Sequence, residues 1–329
     1  MQNQSKKLFI VDLHVHTLLI HSLFNVDLTK KNKKIKIPII NFNFRLIDLP
    51  RMKSANAGLT GFVLYPSPFL SAFGYSSINK QYEYFQNIIN TPENNIIQIK
   101  RYSDLEQLHG KTGIFLCMED ITFIGNDLEN VKKLDEMGII YSSLVHFTKN
   151  RACRPAIGFG KDKDGGLTDF GKSLIKEFEK YNIILDLAHI NTKGFSEAAK
   201  LSNNPVIVSH TGVKAIKFSY RNLEDNQIKS IADKGGIIGI FFNSFFLSSG
   251  KCSIDSIIDH IEYICNLVGD DYVSLGSDLD AFAPLPSGFE GIEDYSKIIT
   301  KMSERCFSDS RISKITGENF LRVLKAVRI

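Results

Sequence analysis

Short runs of apolar residues alternate along the chain with segments whose apolar residues recur every three or four positions. The runs are bounded by Gly, Pro, Asn or Asp and contain few polar residues, which is typical of β-strands that are covered on both faces. They predict eight strands, over residues 8–16, 61–67, 113–120, 138–146, 182–190, 205–210, 235–243 and 271–278.

The segments between several of these strands have the periodicity of amphipathic helices. Four are clear, over residues 126–137, 168–181, 222–234 and 253–268. A residue type that caps helices stands at the start of each, namely Asn126, Thr168, Asn222 and Ser253. Gly235 and Gly236 are expected to end the third helix, and residues 317–329 predict a closing helix.

Eight strands that alternate with helices predict a (β/α)8 barrel, the TIM-barrel fold of the α/β class. A doubly wound open sheet is the alternative. No linker rich in Gly, Ser or Pro divides the chain, so we expect a single domain over residues 1–329. Residues 17–60 are long and irregular for a connection between two strands, which predicts a lid or an insert at the barrel mouth.

Charge and composition argue against several classes of protein. The net charge is +4, and the basic run at residues 30–37 is too short to indicate a nucleic-acid surface. The five cysteines form no CxxC pair, which favours reduced thiols and a cytoplasmic protein. The N-terminus lacks the apolar stretch of a signal peptide, and no apolar run reaches the length of about 20 residues that a membrane span needs. We therefore expect neither nucleic acid nor membrane as a partner.

Histidines and carboxylates stand at the ends of six predicted strands. In chain order they are His14 and His16, Glu119 and Asp120, His146, His189, His210, and Asp278. The C-terminal ends of barrel strands meet on one face, where catalytic residues gather. Burying these groups together without a cation would leave several polar groups unpartnered, at about 1–3 kcal/mol each. Imidazole and carboxylate ligands without thiolate suit Zn²⁺ or a similar divalent ion.

Five ligands are too many for one tetrahedral zinc ion with an open position, so we predict two zinc ions. In this hypothesis His14 and His16 bind the first ion, His189 and His210 bind the second, and Glu119 bridges them. A hydroxide held between two such ions is a nucleophile at neutral pH.

Two further strand-end residues have chemical roles in this hypothesis. Asp278 takes the proton of the hydroxide and passes it to the leaving group. His146 polarises the substrate carbonyl or stabilises the oxyanion that develops there. The predicted reaction is metal-assisted hydrolysis of an amide or an ester.

Several longer blocks occur in a family's order: "CMED", "LDEMGIIYSSLVHFTKN", "GGLTDFGKSLIKEFEKYNIILDLAHI", "PVIVSHTG", "SYRNLEDNQIKSIADKGGIIGIFF" and "YVSLGSDLDAF". With them the chain resembles the membrane (renal) dipeptidase family of zinc metallopeptidases, in the amidohydrolase-like superfamily. The resemblance covers most of residues 8–282. It implies a (β/α)8 barrel with two zinc ions that cleaves dipeptides, and it supports the roles given to Glu119, His146, His189, His210 and Asp278.

The resemblance also implies that Arg221, in "SYRNLED", binds the substrate carboxylate, because a guanidinium can donate two parallel hydrogen bonds to it. The alternative is an arginine that caps the next helix or pairs with Glu224 or Asp225.

Family members are often dimers, which implies a homodimer here. The chain departs from the family at His16, where members usually carry Asp. We expect the exchange to make the site more cationic, its bridging water more acidic and its metal preference different.

Three other functions stay open from the sequence. An amidohydrolase could act on another small amide or a lactam. The stretch "DLHVHT" is also similar to the opening of phosphoesterases of the polymerase-and-histidinol-phosphatase type, although the later blocks do not resemble them. A catalytically inactive metal-binding barrel is the third, but Asp278 and His146 are not needed merely to hold metals.

Overall fold

The structure is a computed structural model that describes residues 9–39, 42–66 and 74–329. Its strands are β1 Ile10–Val15, β2 Ile35–Ile37, β3 Phe42–Phe44, β4 Ala57–Leu64, β5 Ile96–Gln98, β6 Thr112–Met118, β7 Ile139–Ser143, β8 Ile184–Asp186, β9 Ile207–Thr211, β10 Ile237–Ile240 and β11 Val273–Leu275. Residues 1–8, on which the expectation of no signal peptide depends, and Ser67 of the second predicted strand lie outside the described residues.

The α-helices of the described residues lie mainly between the strands. They are α1 Thr17–Phe24, α2 Leu49–Ser54, α3 Gly74–Ile89, α4 Asn130–Met137, α5 Asp169–Lys180, α6 Thr192–Leu201, α7 Asp225–Asp233, α8 Ser244–Leu247, α9 Ile254–Val268, α10 Tyr295–Glu304, α11 Asp309–Ser313 and α12 Asn319–Val327. Within the described ranges, no helix is both long enough and apolar enough to cross a membrane.

Eight parallel strands form a closed barrel. Around the ring they are β1, β4, β6, β7, β8, β9, β10 and β11, and β11 pairs with β1 to complete it. The short β5 pairs with the first residues of β6, and β2 and β3 form a separate antiparallel hairpin. The predicted (β/α)8 barrel is confirmed, and the open-sheet alternative is wrong.

The barrel strands are buried on both faces, as their apolar runs predict. Side chains that point inwards, such as Val11 and Leu13 of β1, form one cluster with residues of α12. The ring of Phe320 in α12 stacks on Phe115 of β6, with 4.9 Å between the ring centroids. Outward-pointing side chains of the strands pack in a second cluster with the surrounding helices. The helix predicted at the C-terminus is therefore present, and it packs against the barrel interior.

Two of the four predicted helix caps are correct. The hydroxyl of Thr168 accepts a hydrogen bond from the backbone N–H of Gly171 at the start of α5. Ser253 caps α9 in a reciprocal arrangement with Ser256. Gly235, with a φ of 67°, follows the end of α7 as expected.

The other two predicted caps are wrong. The helix expected from Asn126 begins only at Asn130, because the chain first forms turns in which the Asn130 side chain donates to the carbonyl oxygen of Ile124. The helix expected from Asn222 begins at Asp225, and Glu224 is its capping residue. The Asn222 amide instead donates to the carbonyl oxygens of Lys217, in the preceding loop, and Phe246, in α8.

The segment predicted as a lid or insert, residues 17–60, contains α1, the β2–β3 hairpin and α2, and its last four residues begin barrel strand β4. This segment packs against the loop that follows β11. The backbone N–H of Leu46 donates to Oδ1 of Asp280 at 2.8 Å, and the rings of Phe24, Phe44 and Phe282 contact one another. Because that loop starts at the C-terminal end of a barrel strand, the insert borders the barrel mouth.

Candidate metal centre

The residues predicted as metal ligands meet at the C-terminal mouth of the barrel. His14 and His210 lie within β1 and β9, and His16 and Glu119 directly follow β1 and β6. His189 follows the short β8 by three residues. All five side chains are buried. Their donor atoms form overlapping groups that could hold metal ions, and Glu119 belongs both to the group of His14 and His16 and to that of His189 and His210.

The carboxylate of Glu119 lies at the centre of this cluster. Its Oε1 atom is 3.0 Å from Nε2 of His189, 3.5 Å from that of His210 and 3.6 Å from that of His14, and its Oε2 atom is 3.4 Å from Nε2 of His16. Neither oxygen has a hydrogen-bond partner among the described residues. Burial raises the pKa of Glu119 to about 8, so an ionised carboxylate here needs positive charge beside it.

Hydroxyl groups behind His14 and His210 fix which ring nitrogen carries the proton. The Tyr141 hydroxyl donates to the carbonyl oxygen of Leu13 at 2.7 Å, so it accepts from Nδ1–H of His14 at 2.9 Å. The Ser209 hydroxyl donates to Asp186 at 2.6 Å and accepts from Nδ1–H of His210 at 2.8 Å. Both histidines therefore present a bare Nε2 to the cluster, as a metal ligand requires.

The protonation of the imidazoles also suits metal binding. Burial lowers the pKa values of His14, His189 and His210 well below their usual range, which keeps these rings neutral. Burial acts in the same direction on His16, but its contact with Asp278 and the charge of Glu119 raise its pKa overall. Among these four histidines, His16 is the one whose pKa is raised by neighbouring carboxylates.

Asp278 reaches the cluster from the loop after β11. Its Oδ1 atom lies 3.4 Å from Nε2 of His16, and its carboxylate is also within reach of His14 and His210. The backbone of Asp278 has a φ of 60°, and that of His189 a φ of 66°. A left-handed conformation costs a residue with a side chain about 1 kcal/mol or more. Here the N–H of Asp278 donates to the carbonyl oxygen of His14 at 2.9 Å, which holds the strained turn in place.

His146 stands at the edge of the cluster, three residues after β7. Its Nε2 atom is 3.9 Å from Oε2 of Glu119, farther than the Nε2 atoms of the other four histidines are from their nearest Glu119 oxygen. Its Nδ1 atom is 2.7 Å from the hydroxyl of Tyr65. A cavity of about 190 Å³ opens beside these two residues and is also lined by Asp120 and Thr122.

Arg221 is buried behind His189 and His210. Its Nη2 atom donates to the carbonyl oxygen of His210 at 2.7 Å and lies 3.2 Å from Nε2 of His189. Among the described residues no carboxylate forms a salt bridge with it. Pairing with a following acidic residue, the alternative from the sequence, is wrong because Glu224 pairs with Lys214 and Asp225 accepts from the Tyr263 hydroxyl. A buried guanidinium without an acidic partner is suited to an anionic ligand.

Four residues at the site were missed by the sequence analysis: Tyr65, Tyr141, Asp186 and Ser209. Each of the three hydroxyls contacts one of the histidines, and Asp186 accepts from Ser209. Ser209 is the one that a sequence signal could have found, because it directly precedes His210. The tyrosines stand in ordinary apolar strand patterns.

Comparison with known proteins identifies dipeptidases as relatives of this chain. The model of the family described as membrane dipeptidase (peptidase family M19) matches residues 4–329. The dipeptidase tcpJ of Claviceps purpurea (strain 20.1) is 26% identical over 297 residues, which cover 85% of this chain and 69% of that protein.

Two solved structures have the same fold. A metallo peptidase from Rhodobacter sphaeroides, liganded with a phosphinate mimic of the dipeptide L-Ala-D-Ala, is 22% identical with a TM-score of 0.86, covering 97% of this chain and 99% of its own. The probable dipeptidase PvdM from Pseudomonas aeruginosa is 18% identical with a TM-score of 0.86, covering 98% and 96%. At these identities the structural likeness concerns the fold.

Proposed function

The chain belongs to the membrane dipeptidase family, peptidase family M19. We propose that it hydrolyses dipeptides at this site with two divalent cations, and that these are zinc ions. The observation that carries the proposal is the buried carboxylate of Glu119. Both of its oxygens lack a hydrogen-bond partner, yet each faces imidazole nitrogens at 3.0–3.6 Å.

The five residues fit a pair of cations. His14 and His16 would hold one ion and His189 and His210 the other, and Glu119 would be shared by both. The bare Nε2 atoms of His14 and His210 support this assignment, because each offers a lone pair to a cation while the hydroxyl behind the ring holds the proton on Nδ1. When bound, such a pair supplies a hydroxide nucleophile at neutral pH and withdraws charge from the substrate carbonyl.

The residues around the pair would divide the remaining work of hydrolysis. Asp278, partly open to solvent, accepts a proton from the attacking water and delivers it to the amine nitrogen as the carbon–nitrogen bond breaks. His146 donates a hydrogen bond from Nε2 to the carbonyl oxygen as negative charge develops on it. Arg221 holds the free carboxylate of the dipeptide, which its lack of an acidic partner supports.

A dipeptide library assayed with the zinc-loaded protein tests this function. We expect hydrolysis of some dipeptides, with loss of about 10²-fold or more in kcat for Asp278→Asn. A chromogenic phosphate monoester assayed in parallel tests the phosphoesterase alternative, and small amides and lactams test the wider amidohydrolase one. Equal rates for Asp278→Asn and the parent would contradict the proton-transfer role, and no dipeptide turnover at all would contradict the function.

Other expectations are part of the same proposal. We propose a cytoplasmic location, which the five unpaired cysteines support. We also propose one domain over residues 1–329, with residues 17–60 as an insert that covers part of the mouth, and a homodimer in solution. Light scattering coupled to gel filtration measures the last of these directly.

A further inference from the structure

Tyr65 is a buried residue beside the metal centre to which the proposed reaction gives no part. It directly follows β4, and its ring packs edge-on against the rings of His146 and His16, at centroid distances of 4.8 and 5.3 Å. The Gln81 side chain in α3 bonds both the backbone N–H and the carbonyl oxygen of Tyr65, at 3.2 and 2.9 Å. The position of its hydroxyl, 2.7 Å from Nδ1 of His146, is therefore set by a neighbouring helix.

The direction of this hydrogen bond follows from the partners that the hydroxyl has. Among the described residues, Nδ1 of His146 is the one atom with which the Tyr65 hydroxyl forms a hydrogen bond. If Nδ1 carried the imidazole proton, the phenol would accept from it, and the phenolic proton would have no acceptor among the described residues. If the phenol donates to Nδ1, both groups are satisfied, and the imidazole proton then resides on Nε2.

This is the opposite of the arrangement at the metal-ligand candidates. The hydroxyls behind His14 and His210 already donate to other acceptors, so they accept from Nδ1–H and leave Nε2 bare. The Tyr65 hydroxyl donates its proton to Nδ1 of His146, so that Nε2 of His146 carries the imidazole proton. Of the five histidines of the cluster, His146 also has the Nε2 atom that lies farthest from Glu119, at 3.9 Å.

We propose that Tyr65 is a positioning residue that holds His146 in the Nε2–H tautomer, so that His146 donates a hydrogen bond to the substrate and does not bind a cation. The part that concerns the substrate rests on the proposed function, whereas the tautomer does not. Tyr65 thereby distinguishes His146 from His14 and His210 by the ring nitrogen that carries the proton.

The tautomer can be measured without any substrate. In zinc-loaded protein with ¹⁵N-labelled histidine, long-range proton–nitrogen correlation spectra distinguish protonated from bare ring nitrogens, and His146→Gln identifies the signals of His146. We expect Nε2 protonated and Nδ1 bare in the parent protein, and a mixture of tautomers in Tyr65→Phe. A proton on Nδ1 of His146 in the parent, or an unchanged spectrum in Tyr65→Phe, would overturn the proposal.

Kinetics tests the consequence for the reaction. Tyr65→Phe is expected to lower kcat on a dipeptide about 10-fold while KM and the zinc content stay close to those of the parent. The matched control is Tyr84→Phe, which removes a hydroxyl bonded to the backbone N–H of Leu28, away from the site. It should leave both kcat and the His146 spectrum unchanged. A kcat of Tyr65→Phe equal to that of the parent would contradict the positioning role.

The two measurements separate the possible failures. If the parent protein hydrolyses no dipeptide but His146 has the expected tautomer, the proposed function is wrong and the assignment of Tyr65 to that tautomer stands. If dipeptides are hydrolysed and Nδ1 carries the proton, the inference about Tyr65 alone is wrong. If Tyr65→Phe does not fold, the spectrum of the parent protein still decides.

Discussion

Nε2 of His189 lies 2.9 Å from Nε2 of His210. The Ser209 hydroxyl fixes the proton of His210 on Nδ1, so Nε2 of His210 offers a lone pair to this contact. Oε1 of Glu119 lies within 3.5 Å of both nitrogens. The guanidinium of Arg221 can only donate, and its Nη2 atom lies 3.2 Å from Nε2 of His189, which favours a bare nitrogen there as well. Two bare nitrogens and a carboxylate oxygen at these distances repel one another unless a cation lies between them. The relationship is typical of ligands that share a cation.

Arg221 should determine the preference for a free substrate carboxylate. We expect Arg221→Lys to raise KM for a dipeptide about 10- to 100-fold, because a two-point charged contact becomes a single one. The effect on the corresponding dipeptide amide should be small, since it has no carboxylate to hold. Steady-state kinetics with the two substrates measures the difference.

Lys214→Met is the control for Arg221, because it removes a cation of the same loop that is already paired with Glu224. We expect it to leave both KM values close to those of the parent. If Arg221→Lys impaired the amide and the free dipeptide equally, Arg221 would not act on the substrate carboxylate.

Tyr141 should contribute to metal affinity from behind His14. In Tyr141→Phe, Nδ1–H of His14 and the carbonyl oxygen of Leu13 lose their shared partner. We expect zinc affinity to fall about 10- to 100-fold, as for other residues that orient a ligand histidine. Competition with a chromogenic chelator measures the affinity, with Tyr84→Phe as the control. Equal affinity in parent and Tyr141→Phe would rule out this orienting role.

His260 gives a prediction for the dependence of stability on pH away from the metal centre. Its Nδ1 atom accepts from the N–H of Val213 at 2.8 Å and its Nε2–H donates to the carbonyl oxygen of Leu247 at 3.0 Å, so the ring is neutral and fully bonded. Burial lowers the pKa of His260 below its usual value of 6.5. As the pH falls through that value, the unfolded chain binds a proton that the folded protein does not, and the stability due to His260 is lost.

We therefore expect His260→Asn to lower the free energy of unfolding by about 2 kcal/mol at pH 7.5 and by less at pH 5.5. Denaturant unfolding of both proteins at the two pH values measures these differences. A deficit that is the same at both pH values would contradict a neutral buried imidazole at this position.

The barrel and its ligands could be predicted from the sequence because both depend on local pattern. Apolar runs identify the strands, and the C-terminal ends of parallel strands meet on one face, so His14, Glu119 and His210 had to lie near one another. The family resemblance, based on blocks such as "SYRNLED", is confirmed by the match over residues 4–329, and it identifies the reaction class as dipeptide hydrolysis.

What could not be predicted depends on contacts between distant parts of the chain. Tyr65 meets His146 across 81 positions, and Tyr141 meets His14 across 127. Asn222 is a residue type that caps helices, but its amide donates to the carbonyl oxygens of Lys217 and Phe246, so the helix starts later. The later start of this helix does not disturb the metal-ligand candidates, because these residues lie in or shortly after the barrel strands.

The most direct test of the account is the number of metal ions per chain. Protein stripped with a chelator, reloaded with zinc and freed of excess metal should contain two zinc ions per chain by mass spectrometry. Glu119→Gln should contain one or none, whereas Glu136→Gln, on the exposed face of α4, should retain two. Two ions in the parent and a loss in Glu119→Gln alone would support a shared carboxylate. One ion or none in the parent, or two in Glu119→Gln, would contradict it.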